Sequence, residues 1–595
     1  MTSLSKGCGS WRPDPVTFKR VGFGLLLLST ATFLTNGYYL RFLEPALSRK
    51  GLALMVVALT GGWFLVGHFG LPKSRGELSE LLGRAKTPLL LAIILGVAFS
   101  VRFEGIRSGL PQSYIPDEYE YVHSYLQMIK RGDMNPRWWH HPSVQPYVNI
   151  GTYLVVFFLE ARTGRWQSVH QIQVEDMLFW GRFSAGVIPG TLAVFFVFVL
   201  GRWVFGTRVG LFAAALLAVA PGVVEVSQYN KPDALVVLFS TVSVLVTMIY
   251  LEKGGRGLAF AAGAAIGFTV AVKYNAALLW IPLIGATLFR RGTSLLAHPD
   301  LYLGGFGTVV GFTAGCPYFY ADLTRFFDHV AAGLFNYGFL GLAGADGIDN
   351  WAAHANYTIN YGAGLLPFLA CLVGLALALY RIDRRLAVFL AYPILYYSFY
   401  SSQRINFAGN LMPVYPFLAI LAAYGIVETI VFLREVLEKR LRNRPIAKRP
   451  LETLALVAAL VAALWFPTSK TLERNHLVTL PDTGAMAAQW IEARIPPGTS
   501  FAVERHTPVL DLERYRVSAS KRVINIGVAA HRDAGAEYLI VTSTSYERFG
   551  PEHRQTKNYA KLFAICPLVK EFAPEPERLW GPTIRILQVP AAPSP

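Results

Sequence analysis

Apolar runs of the length needed to cross a bilayer as helices recur along this chain. They fall near 21–40, 51–70, 87–103, 178–202, 209–226, 234–251, 257–272, 275–290, 301–317, 361–380, 386–401, 411–433 and 451–467. This pattern predicts a mostly α polytopic membrane protein with about 13 transmembrane helices. Two of the runs, 257–272 and 275–290, are short and joined by the polar Lys273-Tyr274-Asn275, so they read as a tight hairpin. Val144 to Glu160 is also apolar, but counting it as a span would reverse the charge of every later loop. It reads as a re-entrant or interfacial helix.

From about residue 468 the pattern changes. Ala485–Arg494 has the spacing of a short amphipathic helix, stopped by Pro496-Pro497-Gly498. Ser500–Val503, Tyr538–Thr542 and Thr583–Val589 read as strands. The chain therefore divides into N-terminal membrane helices (1–103), a polar loop region (104–177), a membrane core (178–467) and a small soluble α/β domain (468–595).

Composition agrees with the pattern: 53% of residues are hydrophobic and 16% charged. A soluble domain carries about 25% charged residues. The net charge of +17 is concentrated in short loops, such as Arg381–Arg385 and Arg434–Arg449. Alternating sides from a cytoplasmic N-terminus puts most basic loops inside, with Arg41–Lys50 dissenting. The first apolar run follows Lys19-Arg20 and lacks a small-residue cleavage site, so it reads as a retained span. Nucleic-acid binding would need a basic face on a soluble module, and none is visible. The four cysteines are far apart, with no C-x-x-C spacing, and indicate neither a zinc site nor a disulfide framework. This topology implies a multi-pass protein of the cytoplasmic (inner) membrane, with 104–177 and the C-terminal domain extracytoplasmic.

The loop from Tyr114 to Tyr147 holds an acidic pair, Asp117-Glu118, and a basic pair, His140-His141. Ionisable groups this close to a bilayer are functional candidates by default. Neighbouring helical residues point about 100° apart, so the two carboxylates address different surroundings. The bland alternative is that both only cap a helix running from Asp117 to Lys130. Candidate cations are Lys231, beside Asp233 in SQYNKPDAL, with Lys273, Arg404 and Arg182. A lone lysine at a helix end is usually a snorkelling anchor. Several on one face beside a carboxylate loop suit a lipid phosphate between helices.

Sugar transfer from a polyprenyl phosphate needs a base for the acceptor hydroxyl and a cation for the leaving phosphate. It does not need the second, protonated carboxyl of a typical glycosidase. A divalent cation (Mg or Mn) held by Asp117 or His141 would take over part of the cationic role, although no acidic cluster compels one. Trp138 and Trp139 beside the histidines suit either an interfacial belt or stacking on a sugar.

At these residues the chain resembles the GT-C superfamily of membrane glycosyltransferases. It is most similar to the bacterial group of protein O-mannosyltransferases and the lipid A aminoarabinose transferase. The resemblance rests on PDEYEYV (116–122), GDMNPRWWHHPS (132–143), GRFSAGVIPG (181–190), AVAPGVVEVSQYNKPDAL (218–235), AIGFTVAVKYNA (265–276) and NLMPVYP (410–416), and covers roughly 104–435. It implies a transferase that uses a polyprenyl-phosphate-linked sugar donor on the extracytoplasmic face. Asp117 matches the catalytic acidic residue and Glu118 the accompanying acid. Lys273 matches the lysine after a short helix, and Arg404 loosely matches a late basic residue. Three spans precede the acidic loop where one is usual. Asn410-Leu411 stands where the family commonly has Arg-Tyr.

The expectation is an inverting transfer to a hydroxyl of a lipid, glycan or protein acceptor. Asp117 and Glu118 are the catalytic candidates, and His141, Lys231, Asp233, Lys273, Tyr274 and Arg404 the substrate-binding ones. A transporter or lipid flippase is the rival from another class. It would favour paired half-sequences with broken helices, which are not seen. A receptor whose C-terminal domain does the binding is a second rival. Deleting that domain separates it from an enzyme whose chemistry lies in the membrane part.

Overall fold

The computed structural model describes residues 75–111, 113–115, 117–292, 298–335, 350–403, 407–440, 448–520, 522–548, 550 and 552–591. The expected spans 21–40 and 51–70, and Arg404, lie outside the described residues. The chain forms two compact units, Met1–Ser100 and Val101–Pro595. Helix α1 spans Arg75–Glu104.

In the second unit, α2 (Glu118–Arg131) and α3 (Val144–Ala161) form the polar loop region. Tyr121, Tyr125 and Leu126 of α2 pack on Ile150 and Tyr153 of α3 and on Met177 and Leu178 of α4 (Val174–Arg182). Helix α4 runs through a π turn at Phe183–Val187 into α5 (Ile188–Phe205). Gly186 lies in that turn, and a Cβ there would sit 2.9 Å from the Tyr229 carbonyl oxygen. The missing side chain lets the 227–233 turn press against α4 and α5.

Next come α6 (Thr207–Ala218), α7 (Asp233–Lys253), α8 (Arg256–Val270) and α9 (Pro299–Gly315). Gly263 and Gly267 of α8 face Gly304 and Thr308 of α9 with backbones in close approach, the usual device where lipid removes the hydrophobic drive between helices. Helices α10 (Leu365–Tyr380) and α11 (Tyr415–Arg440) pair through Gly374 and Gly425. Helix α12 (Lys448–Thr479) closes the membrane part.

Three expectations change. Among the described residues, five helices are long and apolar enough to cross a membrane: Lys86–Glu104, Val174–Phe205, Asp233–Lys253, Ala408–Val436 and Glu452–Thr479. The figure of about 13 is not confirmed: two of its spans lie outside the described residues, and the run 209–226 is broken where α6 ends before Pro221, which starts the short helix Pro221–Val226. The expected hairpin of 257–272 and 275–290 is also absent. Lys273 is extended (φ −155), a 3-10 turn follows at Tyr274–Leu279, and α8 packs chiefly on α9. Finally, the boundary expected near 467/468 lies inside α12, which continues past Pro467 to Thr479.

Arg102 is fully buried near the end of α1. Its Nη1 and Nη2 donate to the carbonyls of Ala218 (2.8 Å) and Leu217 (3.2 Å). A cation there satisfies the open carbonyls at the end of α6 and complements its dipole.

The C-terminal domain is a five-stranded sheet in the order β2-β1-β3-β5-β4. Strands β1 (Ser500–Val503), β2 (Arg516–Ala519) and β3 (Tyr538–Thr542) are parallel, while β4 (Leu568–Phe572) and β5 (Ile584–Gln588) run antiparallel. Ala487 and Ile491 of α13 (Thr483–Arg494) cover one face. Tyr559 and Leu562 of α14 (Arg554–Ile565) cover the other. The expected helix and three strands are present within two residues of their predicted ends. Strands β2 and β4 are not predicted from the sequence, being mostly exposed and without the alternation that marks a half-buried strand.

Glu504 follows β1 and is buried, accepting hydrogen bonds from the Tyr559 hydroxyl (2.6 Å) and the Thr542 N–H (2.9 Å). Burial outweighs these bonds and pushes its carboxyl up to about 7. A raised carboxyl favours the folded state while protonated. That contribution is complete below the ordinary value of about 4.3 and disappears as pH rises through the folded value. Between about pH 6 and 8 the melting temperature of the native protein should therefore fall relative to that of Glu504→Gln. A difference in melting temperature that does not change with pH would count against this.

Candidate active site

Glu118 opens α2 and is completely buried. Its Oε1 accepts from Arg182 Nε (2.8 Å) and the Asn230 N–H (2.8 Å). Its Oε2 accepts from Arg182 Nη2 (2.6 Å) and Ser113 Oγ (2.5 Å). Burial alone would raise this carboxyl, but the Arg182 charge and the four donors hold it below the usual range. Arg182 Nη1 also donates to the carbonyls of Ile106 (2.9 Å) and Ser108 (2.7 Å). One ion pair thus joins the 104–117 loop, α4 and the 227–233 turn. Gln145 and Asn149 of α3 extend the network, both donating to Asn230 Oδ1 (3.0 and 2.7 Å).

Asp117 has the opposite surroundings. Its backbone is left-handed (φ 69, ψ −11), its side chain makes no capping bond, and it is exposed. Such a backbone costs a residue other than glycine roughly 1–3 kcal/mol. Asp117 thus stands at the N-cap position of α2 without making the side-chain bond that the bland alternative of a cap requires. Among the described residues its carboxylate has no hydrogen-bond or ion-pair partner, and neither does the Lys231 ammonium.

His141 lies between Tyr121 (ring centroids 5.7 Å apart) and Trp138 (5.4 Å). Enclosure pushes the imidazole down to about 4, and the Lys273 charge acts in the same direction. Asp233 and Asp117 oppose this shift, and Lys231 adds to it. The ring is therefore neutral at physiological pH. The same four charges show that Asp117, Lys231, Asp233, Lys273 and His141 share one neighbourhood.

Lys273 Nζ donates to Asp233 Oδ1 (2.9 Å) and Asn410 Oδ1 (3.0 Å). The extended backbone after α8 carries the lysine to the start of α7, where Asp233 lies in the first turn. Tyr274 turns the other way, its hydroxyl donating to the Trp139 carbonyl (2.9 Å). His140 stacks on His329 (4.4 Å), whose Nδ1 accepts the Trp139 N–H (3.0 Å).

Of the sequence candidates, five come together and Tyr274 braces the loop beside them. Arg182, considered as a phosphate cation, is committed to Glu118. Sequence reasoning missed Asn230, Asn410, Ser113 and Tyr121. Asn230 and Asn410 lie inside the quoted motifs SQYNKPDAL and NLMPVYP, but a neutral amide gives no charge signal. No group of three His, Cys, Asp or Glu residues among the described residues could hold a metal ion. Asp117 and His141 supply two donors, so an Mg-type ion would need substrate phosphate and water to complete its coordination.

Residues 172–316 match the family model of dolichyl-phosphate-mannose-protein mannosyltransferases. A search of curated protein sequences finds no match. ArnT from Cupriavidus metallidurans in its apo state superposes with a TM-score of 0.53 at 16% identity, covering 85% of this chain and 98% of ArnT. ArnT bound to undecaprenyl phosphate gives 0.52 at 17% identity over the same shares, 85% and 98%. The oligosaccharyltransferase AglB from Archaeoglobus fulgidus gives 0.48 at 12% identity, covering 78% of this chain and 71% of AglB. The family match and the ArnT likeness agree with the resemblance drawn from the motifs, and the chain shares the fold of ArnT.

Proposed function

We propose that this protein transfers a sugar from a polyprenyl-phosphate-linked donor to an acceptor hydroxyl, with inversion, on the extracytoplasmic face of the cytoplasmic membrane. The observation that carries this reading is the Asp117 carboxylate, without a partner among the described residues and held in strained backbone beside Lys231, Lys273 and a neutral imidazole. The ArnT structure that holds undecaprenyl phosphate supports the donor class.

In this mechanism Asp117 accepts the proton of the acceptor hydroxyl. The acceptor oxygen attacks the anomeric carbon, and the bond from that carbon to the phosphate oxygen breaks. The bonding pair leaves with the phosphate. Lys231 meets the departing charge directly, and Lys273 does so by turning from Asp233. Phosphate is a good leaving group, so no carboxylic acid needs to protonate it. A single displacement inverts the anomeric centre.

Glu118 is a positioning residue here, since its oxygens are occupied by Arg182, Ser113 and Asn230. His141 packs against the sugar as a neutral wall. Arg404 remains a candidate second contact for the phosphate. The acceptor, a lipid, glycan or protein hydroxyl, enters over Asp117.

Asp117→Asn keeps the shape and removes the base. It should lower turnover by about 10²–10⁴-fold. Binding of undecaprenyl phosphate should change by less than about twofold. The check is single-turnover transfer from a panel of polyprenyl-phosphate-linked sugars in proteoliposomes, with lipid binding measured separately. Normal transfer by the folded variant would falsify the mechanism. Lys231→Met should instead weaken undecaprenyl phosphate binding, by about tenfold for loss of a charge-assisted contact. Glu118→Gln breaks a buried pair and should cost about 3–5 kcal/mol of stability. It should therefore appear first as a lower melting temperature and a poor yield of folded protein.

A further inference from the structure

The acidic loop is held from its other side by the C-terminal domain. Three residues before Asp117, the Tyr114 side chain enters a notch between Gly109 and Gly484. Its hydroxyl donates to Asp482 Oδ1 (2.5 Å) and accepts the Gly484 N–H (3.0 Å). Its ring packs on Trp580 (centroids 5.6 Å apart). Asp482 also caps α13 by accepting the Ala485 N–H (2.8 Å), so the tyrosine is anchored to the end of a helix. The Trp580 backbone is fixed in turn, bonding through its N–H to Pro481 and through its carbonyl to Thr483 (2.9 Å each).

Two more contacts join the same segments. His506 Nδ1 lies 3.0 Å from the Ser113 carbonyl, and Arg505 pairs with Glu120 (2.8 Å). Both side chains come from the turn after β1, at the end of the parallel strands where open α/β sheets present their loops. Ser113 (φ 47), Asp117 (φ 69) and His506 (φ 63) all have left-handed backbone and are not glycine. Strained residues persist only where their surroundings over-determine them. Here the surroundings are Arg182 and Asn230 on one side and the C-terminal domain on the other.

We propose that Tyr114, seated in the C-terminal domain, is a positioning residue for Asp117, so that this domain is a working part of the transferase site. The inference rests on the reading of Asp117 as the base. It reverses the expectation that the chemistry would survive in the membrane part alone. Seating Tyr114 and seating Glu118 fix the chain on both sides of Asp117, leaving its carboxylate aimed at the acceptor. Unseating Tyr114 leaves Lys231, Lys273 and the membrane helices untouched, so the donor should still bind.

The test uses the full chain in lipid nanodiscs. A methyl group on Gly484 would overlap the Tyr114 hydroxyl, while alanine is otherwise favourable in a helix. Tyr114→Phe keeps the ring and removes both hydrogen bonds. Gly484→Ala is expected to lower kcat at least about tenfold, with Tyr114→Phe intermediate. Undecaprenyl phosphate binding should stay within about twofold of the native value. Hydrogen exchange of the backbone amides of residues 113–118 should speed up in both variants. Native kcat in both variants overturns the proposal. A kcat loss matched by an equal loss of lipid binding also overturns it, because Tyr114 would then be a general fold contact. Absence of transfer by the native protein would count against the function proposed above, while the exchange measurement would still report whether Tyr114 seats the loop.

Discussion

The pair of Glu118 and Arg182 is the constraint on which the candidate site depends. An ion pair taken out of water must recover a desolvation cost of several kcal/mol per ion, and it does so only when every remaining donor and acceptor is used. Glu118 receives four donors, and Arg182 spends both N–H groups of Nη1 on two loop carbonyls. The cost explains the specificity of the arrangement. A slip of α2 by one residue would bury Asp117 in place of Glu118, with a side chain one methylene too short to span Arg182 and Asn230. The register of the acidic pair is therefore set by the partner of its second member, and Asp117 is left facing outward.

A second pair, Lys273 with Asp233, works differently. It is also largely buried, but Asn410 supplies a neutral acceptor beside the carboxylate. Lys273 therefore has an alternative partner when a phosphate draws it away from Asp233. Glu118 and Arg182 have no such slack, because the donors that hold Glu118 are themselves parts of the scaffold. The same chemistry thus yields a fixed strut at one place and an adjustable contact at the other.

Much of this was legible in the sequence. Charged residues beside apolar runs marked the loop, and Lys231, Asp233, Lys273 and His141 were picked out because a charge near a bilayer is costly. Strands β1 and β3 followed directly from their apolar, β-branched and aromatic runs. Arg182 was misjudged for a physical reason: charge alone does not distinguish a cation waiting for phosphate from one already paired. Asp117 and Glu118 stand out as a pair, but which of them is buried depends on a left-handed backbone that a sequence does not display at an aspartate. The extent of α12 was misjudged at Pro467, where proline argues for an end. A membrane helix tolerates it because neighbouring groups can satisfy the freed carbonyl.

The charge balance of the site bears on how the donor could enter. At their formal charges, Asp117 and Asp233 match Lys231 and Lys273, and His141 is neutral. A phosphate arriving in this balanced set brings at least one uncompensated negative charge into surroundings less polar than water. Among the described residues the Lys231 ammonium has no partner, so in the proposed function it would provide the first favourable encounter. Once Lys273 turns toward the phosphate, Asp233 loses its partner and Asn410 cannot neutralise it. In the transfer proposed above, the acceptor proton taken by Asp117 as the bond to phosphate breaks would offset that added charge.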